Sequence, residues 1–215
     1  MSLSILIRLK NKEHFIGFTL QSILDFCPPD SEIIILNDNS DQKTIEKVQL
    51  FKELNYKIIN CSNKLYSPGK FLNYGFSKCS NDVVLTLSSH VEIISKIDLK
   101  TISNYLKKYV AVFGKQAPIY HGKKINPRYV WSHFKNKKIE NMYSDSEQRY
   151  FLHNAFCFYN KNYLLKNPFR EDLSGKEDRY WVNNEVSKGN SFLYDNELVC
   201  SHFYTSAGAT WLGVS

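Results

Sequence analysis

Three short, almost unbroken apolar runs constrain this chain most: LSILIRL (3–9), EIIILN (32–37) and DVVLTLS (82–88). A strand with one wet face alternates apolar and polar residues. Runs that stay apolar, and are rich in β-branched side chains, need cover on both faces, as in a parallel sheet packed between helices. The intervening segments supply that cover. Ile16, Leu20, Ile23 and Leu24 recur at helical spacing until Pro28-Pro29 stops the helix. Across 41–54, Ile45, Val48, Leu50 and Leu54 form a broad apolar face, and YKIINC (56–61) supplies a further strand. Residues 1–92 therefore read as successive β-α-β units of an α/β fold, with a mostly parallel central sheet flanked by helices.

The second half is less regular. VAVFGKQ (110–116) is a strand candidate, and about 119–150 is polar, basic and aromatic, with Tyr120, His121, Lys123, Lys124, Arg128, Trp131 and His133. A loop closing on a ligand and a solvated basic excursion account for that stretch equally well. FLHNAFCFYN (151–160) is strand-like, KNYLLKNPF (161–169) is a helix or turn, and 175–189 is a helix stopped by Gly189. No repeat or low-complexity linker interrupts the chain, so one domain is expected over 1–215.

A net charge of +7 with pI near 9.0 favours anionic partners: phosphorylated small molecules, nucleic acid or an anionic membrane face. The aromatics and cations form no recognisable RNA or DNA motif, so nucleic acid is not expected. Cysteines 27, 61, 79, 157 and 200 are odd in number and contain no C-x-x-C pair, which points to a reducing cytoplasm. No apolar run approaches bilayer length and no leader cleavage pattern follows the first residues. A protein in the cytoplasm, free or held at the membrane face, is expected.

Ligands of open α/β sheets sit beyond the carboxyl ends of the strands, which directs attention to the polar residues there. Asn37, Asp38, Asn39, Ser40 and Asp41 can hydrogen-bond a base or ribose, or form a turn in which Ser40 or Asp41 caps the next helix. In YSPGKFLNYG (66–75), Gly69 permits close backbone approach at a helix start and Lys70 adds a cation. Ser88, Ser89, His90 and Glu92 follow the third run. Glu177 and Asp178 open a helix, either as base and hydroxyl binder or as charges that complement the helix dipole. Neither a phosphate-binding P-loop nor a G-x-G-x-x-G fingerprint is present.

Taken in order, these clusters resemble family 2 glycosyltransferases of the GT-A fold. Arg8, Asn11 and Glu13 match the family's Arg-x-x-Asn-x-Glu stretch; NDNSD is similar to its Asp-Asp-Gly-Ser-x-Asp segment, with Asn37 in the first acidic place. Gly69, Asn73 and Gly75 match its Gly-x-x-x-Asn-x-Gly helix, and NAFCFYNKNYLLKNPFREDLSGKEDRYW (154–181) its acceptor-side region.

The resemblance implies that residues 1–92 bind a nucleotide-sugar through Arg8, Asn11, Glu13, Asn37, Asp38, Asn39, Ser40, Gly69, Lys70, Asn73, Ser88, Ser89 and His90. Residues 93–215 would bind the acceptor through Asn154, Arg179 and Trp181. Asp178 would be the base that deprotonates the attacking hydroxyl, with inversion, while Glu177 orients the acceptor or Arg179. The family's metal-binding Asp-x-Asp is replaced by Ser88-Ser89-His90. His90 and His202 would then ligate a divalent cation, with Mn²⁺ suiting nitrogen better than Mg²⁺. Alternatively His90 meets a phosphate or ribose without metal, or merely caps the strand end, and Glu92 is a possible replacement carboxylate. The implied activity adds a sugar to a glycan or lipid-linked acceptor in cell-surface polysaccharide biosynthesis, of lipopolysaccharide or capsule type. A GT-A domain that binds a nucleotide-sugar or glycan without turnover is the other reading.

Overall fold

The computed structural model describes residues 2–61, 67–124 and 129–206. In chain order the elements are β1 (Leu3–Leu9), α1 (Ile16–Phe26), β2 (Glu32–Asn37), α2 (Gln42–Gln49), β3 (Tyr56–Asn60), α3 (Pro68–Lys78), β4 (Val83–Ser88), β5 (Val91–Ile93) and α4 (Leu99–Tyr105). There follow β6 (Ala111–Tyr120), β7 (Lys123–Lys124), a 3₁₀ turn (Tyr129–His133), β8 (Ile139–Glu140), β9 (Tyr143–Ser144), β10 (Arg149–Tyr150), β11 (Phe156–Asn160), α5 (Lys161–Lys166), α6 (Glu177–Ser187) and β12 (Leu193–Phe203).

The central sheet runs β3-β2-β1-β4-β11-β6-β12-β5. Its first four strands are parallel, as the apolar runs predict. β11 then enters antiparallel to both neighbours, and β12 is parallel to β6. Two-sided burial explains the unbroken runs. Leu3, Ile5, Ile7 and Leu9 of β1, with Ile33 and Ile35 of β2, enter one core, whereas Leu6, Ile34 and Leu36 enter the core on the opposite face. This is the period of two expected of a strand, with apolar partners on both sides.

Four expectations change. Leu50 is 68% exposed just beyond α2, so the helix face is Val48 with Ile45 and Leu54 beside it. In 151–160 only the latter half is a strand; 151–155 is buried but lies outside any strand. His202, which the sequence pattern places just after the final strand, lies within β12. Finally, 119–150 is not uniformly solvated: Tyr120, His121 and Lys123 are exposed, as a solvated excursion would have them, but part of the stretch is packed into the protein. Trp131 and His133 are buried, and the His133 ring stacks on Phe151 at 4.0 Å. Arg128 lies outside the described residues, as does Tyr66.

Candidate active site

Strand order reverses at β1: the chain steps outward to β2 and β3, then returns to place β4 on the other side. The crevice beyond the carboxyl ends of β1 and β4 is therefore the sheet's switch point. Arg8 and Ser88 are register partners there. Arg8 shares the face of Leu6, which turns its guanidinium toward α6, with Nη1 3.5 Å from Glu177 Oε1.

Asn154 joins the two α6 carboxylates. Its backbone N–H donates to Asp178 Oδ2 at 2.9 Å and its side-chain amide to Glu177 Oε1 at 3.3 Å. The buried Tyr159 hydroxyl donates to Asn154 Oδ1 and so fixes which way the amide points. Asp178 Oδ1 accepts from the Arg179 N–H at 2.8 Å, and Oδ2 from Arg179 Nη1 at 2.9 Å. The two carboxyls are driven apart electrically. Burial and the neighbouring Asp178 charge raise Glu177 above the ordinary value, although Arg8 pulls the other way. Burial pushes Asp178 up as well, but Arg179, His153 and the Asn154 N–H outweigh it and hold Asp178 below its ordinary value. A carboxylate pair split in this way separates an ionised acceptor of protons from a partner that holds one more readily.

The histidines converge as well. His202 Nε2 and His90 Nε2 are 2.9 Å apart, and His202 Nδ1 is 2.9 Å from Gln116 Oε1. The Trp131 ring packs edge-on against His202 at 5.0 Å. Burial, with Lys12 and Arg8 nearby, lowers His90 to about 3. Burial lowers His202 well below its usual value, and burial with Arg179 takes His153 to about 3. All three imidazoles are neutral at physiological pH.

Residues 4–166 match the family described as glycosyl transferase family 2. The chain belongs to that family. Among solved structures, S. aureus TarS 1-349 in complex with UDP-GlcNAc superposes with a TM-score of 0.74 at 20% identity, covering 100% of this chain and 62% of that one. TarS 1-349 in complex with UDP gives 0.71 at 20% identity, covering 95% and 61%. At such identity the likeness is one of fold, and the chain spans about three fifths of the length of those structures. No curated protein matches the chain.

Around this crevice, several residues expected at the donor make hydrogen bonds that hold the frame. Asn37 Nδ2 donates to Asn60 Oδ1 at 2.8 Å, and Asn37 Oδ1 accepts from Ser40 N. Asn11, at φ 48°, accepts from Asp41 N at 2.9 Å and donates its N–H to Ser40 Oγ, tying the loops after β1 and β2 together. Asp41, not Ser40, caps α2 through Thr44 N. Asn39 is exposed at φ 49° and Glu13 pairs with His14. Asp38 remains at the crevice, paired to Lys10 at 2.8 Å.

Asn73 is bound to Phe169 O, Phe169 N and Glu171 Oε1, and Lys70 is exposed on α3. A Cβ on Gly69 would lie 2.0 Å from Arg170 O, a backbone atom with no freedom to swing aside. Gly69→Ala is therefore expected to lower stability by about 1–3 kcal/mol, measured by urea unfolding. An unchanged midpoint would show that 169–171 is not pinned to α3.

On the acceptor side, Trp181 is buried against Tyr159 and Phe169, with Nε1 donating to Asn167 O at 2.7 Å, so it belongs to the core. Arg179 is buried too, paired with Asp178 and Glu147. Asn154 is buried between the carboxylates. Ser89 is buried, and Ser88 donates its N–H to Ala155 O. Glu92 sits in β5 opposite Ser201. Sequence reading missed Lys12, Gln116, Glu147 and His153. Only Lys12 had a local signal, lying inside the stretch from Arg8 to Glu13.

The expected metal pair meets a chemical difficulty. The two Nε2 atoms are directed at each other, and the groups nearest in charge to His90 are cations, Lys12 and Arg8. Among the described residues no group of three or more His, Cys, Asp or Glu is placed to hold an ion. A divalent cation seeking oxygen ligands does not fit this donor set.

Proposed function

We propose that this chain is a glycosyltransferase that moves a sugar, with inversion, from a nucleoside-diphosphate sugar to a hydroxyl of a glycan or lipid-linked acceptor in cell-surface polysaccharide assembly. The observation that carries it is the Glu177–Asp178 pair, placed by α6 against Arg8 at the switch point of a family 2 sheet. The TarS structure with UDP-GlcNAc supports a donor of that class. Asp178, held ionised by Arg179, takes the proton of the attacking hydroxyl; Oδ1 accepts one protein hydrogen bond and keeps a lone pair for it. Glu177, nearer neutrality, holds an acceptor hydroxyl. Arg8 and Lys12 meet the charge of the departing diphosphate, so no resident metal is required. No described helix is long and apolar enough to cross a membrane, and the basic surface suits a chain working at the cytoplasmic face of one.

The test is donor consumption over a panel of UDP-, GDP-, CDP- and dTDP-sugars, followed by NMR of the anomeric product, with and without EDTA. One donor class is expected to be consumed at the same rate in EDTA, with inverted anomeric configuration. Loss of turnover in EDTA restored by Mn²⁺ would overturn the metal-independent step. Tight binding of a nucleotide-sugar without consumption by any acceptor tried would favour the non-catalytic reading, which the three protein hydrogen bonds already made to Asp178 also favour.

A further inference from the structure

We infer that Gln116 sets the direction of a proton relay through His202 that leaves His90 Nδ1 as a hydrogen-bond acceptor, reserved for a hydroxyl of the bound nucleotide-sugar. The relay runs from β6 through β12 to the residue just before β5 and starts from an oxygen, which can only accept. The Gln116 amide is oriented with Oε1 toward His202 Nδ1 at 2.9 Å and with its own Nε2 unpartnered among the described residues; in that orientation the hydrogen is on Nδ1. His202 is buried and neutral and carries a single ring hydrogen, so its Nε2 is bare. The only ring hydrogen left to fill the 2.9 Å gap between the two Nε2 atoms is on His90 Nε2. That leaves His90 Nδ1 with a lone pair. Nδ1 is buried and, among the described residues, has no hydrogen-bond partner. An orphaned buried acceptor costs about 1–3 kcal/mol, which a ligand that donates to it recovers.

This chemistry selects among the groups of a nucleotide-sugar. A diphosphate at neutral pH has only acceptor oxygens, and its lone pairs would oppose that of Nδ1. Hydroxyls of ribose or of the transferred sugar can donate. The cations flanking His90, Arg8 and Lys12, suit the phosphates. Gln116 sits in β6, His202 opposite Pro118 in β12, and His90 just before β5, so the sheet itself holds the relay in line. Gln116 acts only through His202 and His90 and is a positioning residue. This inference rests on the nucleotide-sugar reading for its ligand, though not for its direction.

Long-range ¹H–¹⁵N NMR of the full chain labelled at histidine nitrogen reads the direction without any ligand. His202 is expected to show a protonated Nδ1 and a bare Nε2, and His90 a protonated Nε2 and a bare Nδ1. The opposite pattern at either ring overturns the relay. Titrating in UDP, its 2′-deoxy and 3′-deoxy analogues, and UDP-GlcNAc then locates the hydroxyl.

A shift of His90 Nδ1 with UDP that one deoxy analogue abolishes assigns a ribose hydroxyl; a shift seen only with UDP-GlcNAc assigns the sugar. Binding that leaves Nδ1 unmoved overturns the inference while the donor reading stands. Failure of these and of GDP, CDP and dTDP to bind overturns the donor reading, and the hydroxyl assignment with it, whatever the tautomers. Gln116→Met keeps the length but removes the acceptor. It should populate both His90 tautomers and weaken the responding ligand about tenfold. A merely structural Gln116 would lower stability and leave the tautomer signature intact.

Discussion

Asp178→Asn is expected to lower turnover by about 10²–10⁴-fold while the chain stays folded and still binds its nucleotide. The amide oxygen of Asn can accept from the Asn154 N–H and from Arg179 Nη1, as Asp178 Oδ2 does, but its NH2 replaces the Oδ1 that accepts from the Arg179 N–H, so a stability loss of about 1–3 kcal/mol should accompany the change. What is lost is the charge able to receive a proton. Glu177→Gln should cost less in kcat and more in acceptor KM, because Glu177 is placed to hold a hydroxyl.

The pH profile separates the two carboxyls independently of mutation. Arg179, His153 and Asn154 hold Asp178 below the ordinary carboxylate value, so the acid limb of kcat/KM should fall below that value if Asp178 is the base. Burial beside Asp178 lifts Glu177 above its ordinary value, and a limb there would assign the base to Glu177. Measuring kcat and KM for both variants, with nucleotide affinity from calorimetry, decides the matter. Full turnover by Asp178→Asn would remove it from the chemistry.

What the sequence discloses depends on how locally each feature is determined. The bounds of β1 and β2 coincide with their apolar runs because strands buried on both faces carry their environment in every residue. The end of α6 is legible for the same kind of reason: Gly189, at φ 87°, lies just beyond it. Position in the site is another matter. Trp181 and Arg179 adjoin Asp178 in sequence, yet the turn of α6 sends the indole among Tyr159 and Phe169 and the guanidinium over Phe151 at 4.3 Å. Trp131 and His133 sit in a stretch with no regular period, and their burial comes from rings elsewhere in the chain, His202 and Phe151. The Gln116–His202–His90 line is assembled wholly by strand register. No spacing in the sequence encodes it, although His90 and His202 were each legible as polar residues at strand ends.

Arg179→Met should lower stability by about 3–5 kcal/mol at neutral pH, the cost of leaving buried carboxylates without their cation. Arg179 Nη1 is 2.9 Å from Asp178 Oδ2, and Nε is 3.8 Å from Glu147 Oε2, with side chains only 8%, 7% and 4% exposed for Arg179, Asp178 and Glu147. Met occupies the space against Phe151 but leaves Asp178 and Glu147 in the interior without the guanidinium between them. The sign of the pH dependence follows from Asp178. Its folded value lies below the unfolded one, so its stabilising contribution is present above the ordinary Asp range and disappears as pH falls through the folded value. The variant lacks that contribution, so its deficit should be largest near neutrality and should shrink on acidification toward about pH 4, as its carboxyls protonate more readily. Urea unfolding of both proteins at the two pH values measures this. Arg179→Lys keeps the charge without the planar fork and should fall between them. A deficit under about 1 kcal/mol at neutral pH, or one equal at both pH values, would mean that packing on Phe151 and not the charge is what Arg179 contributes.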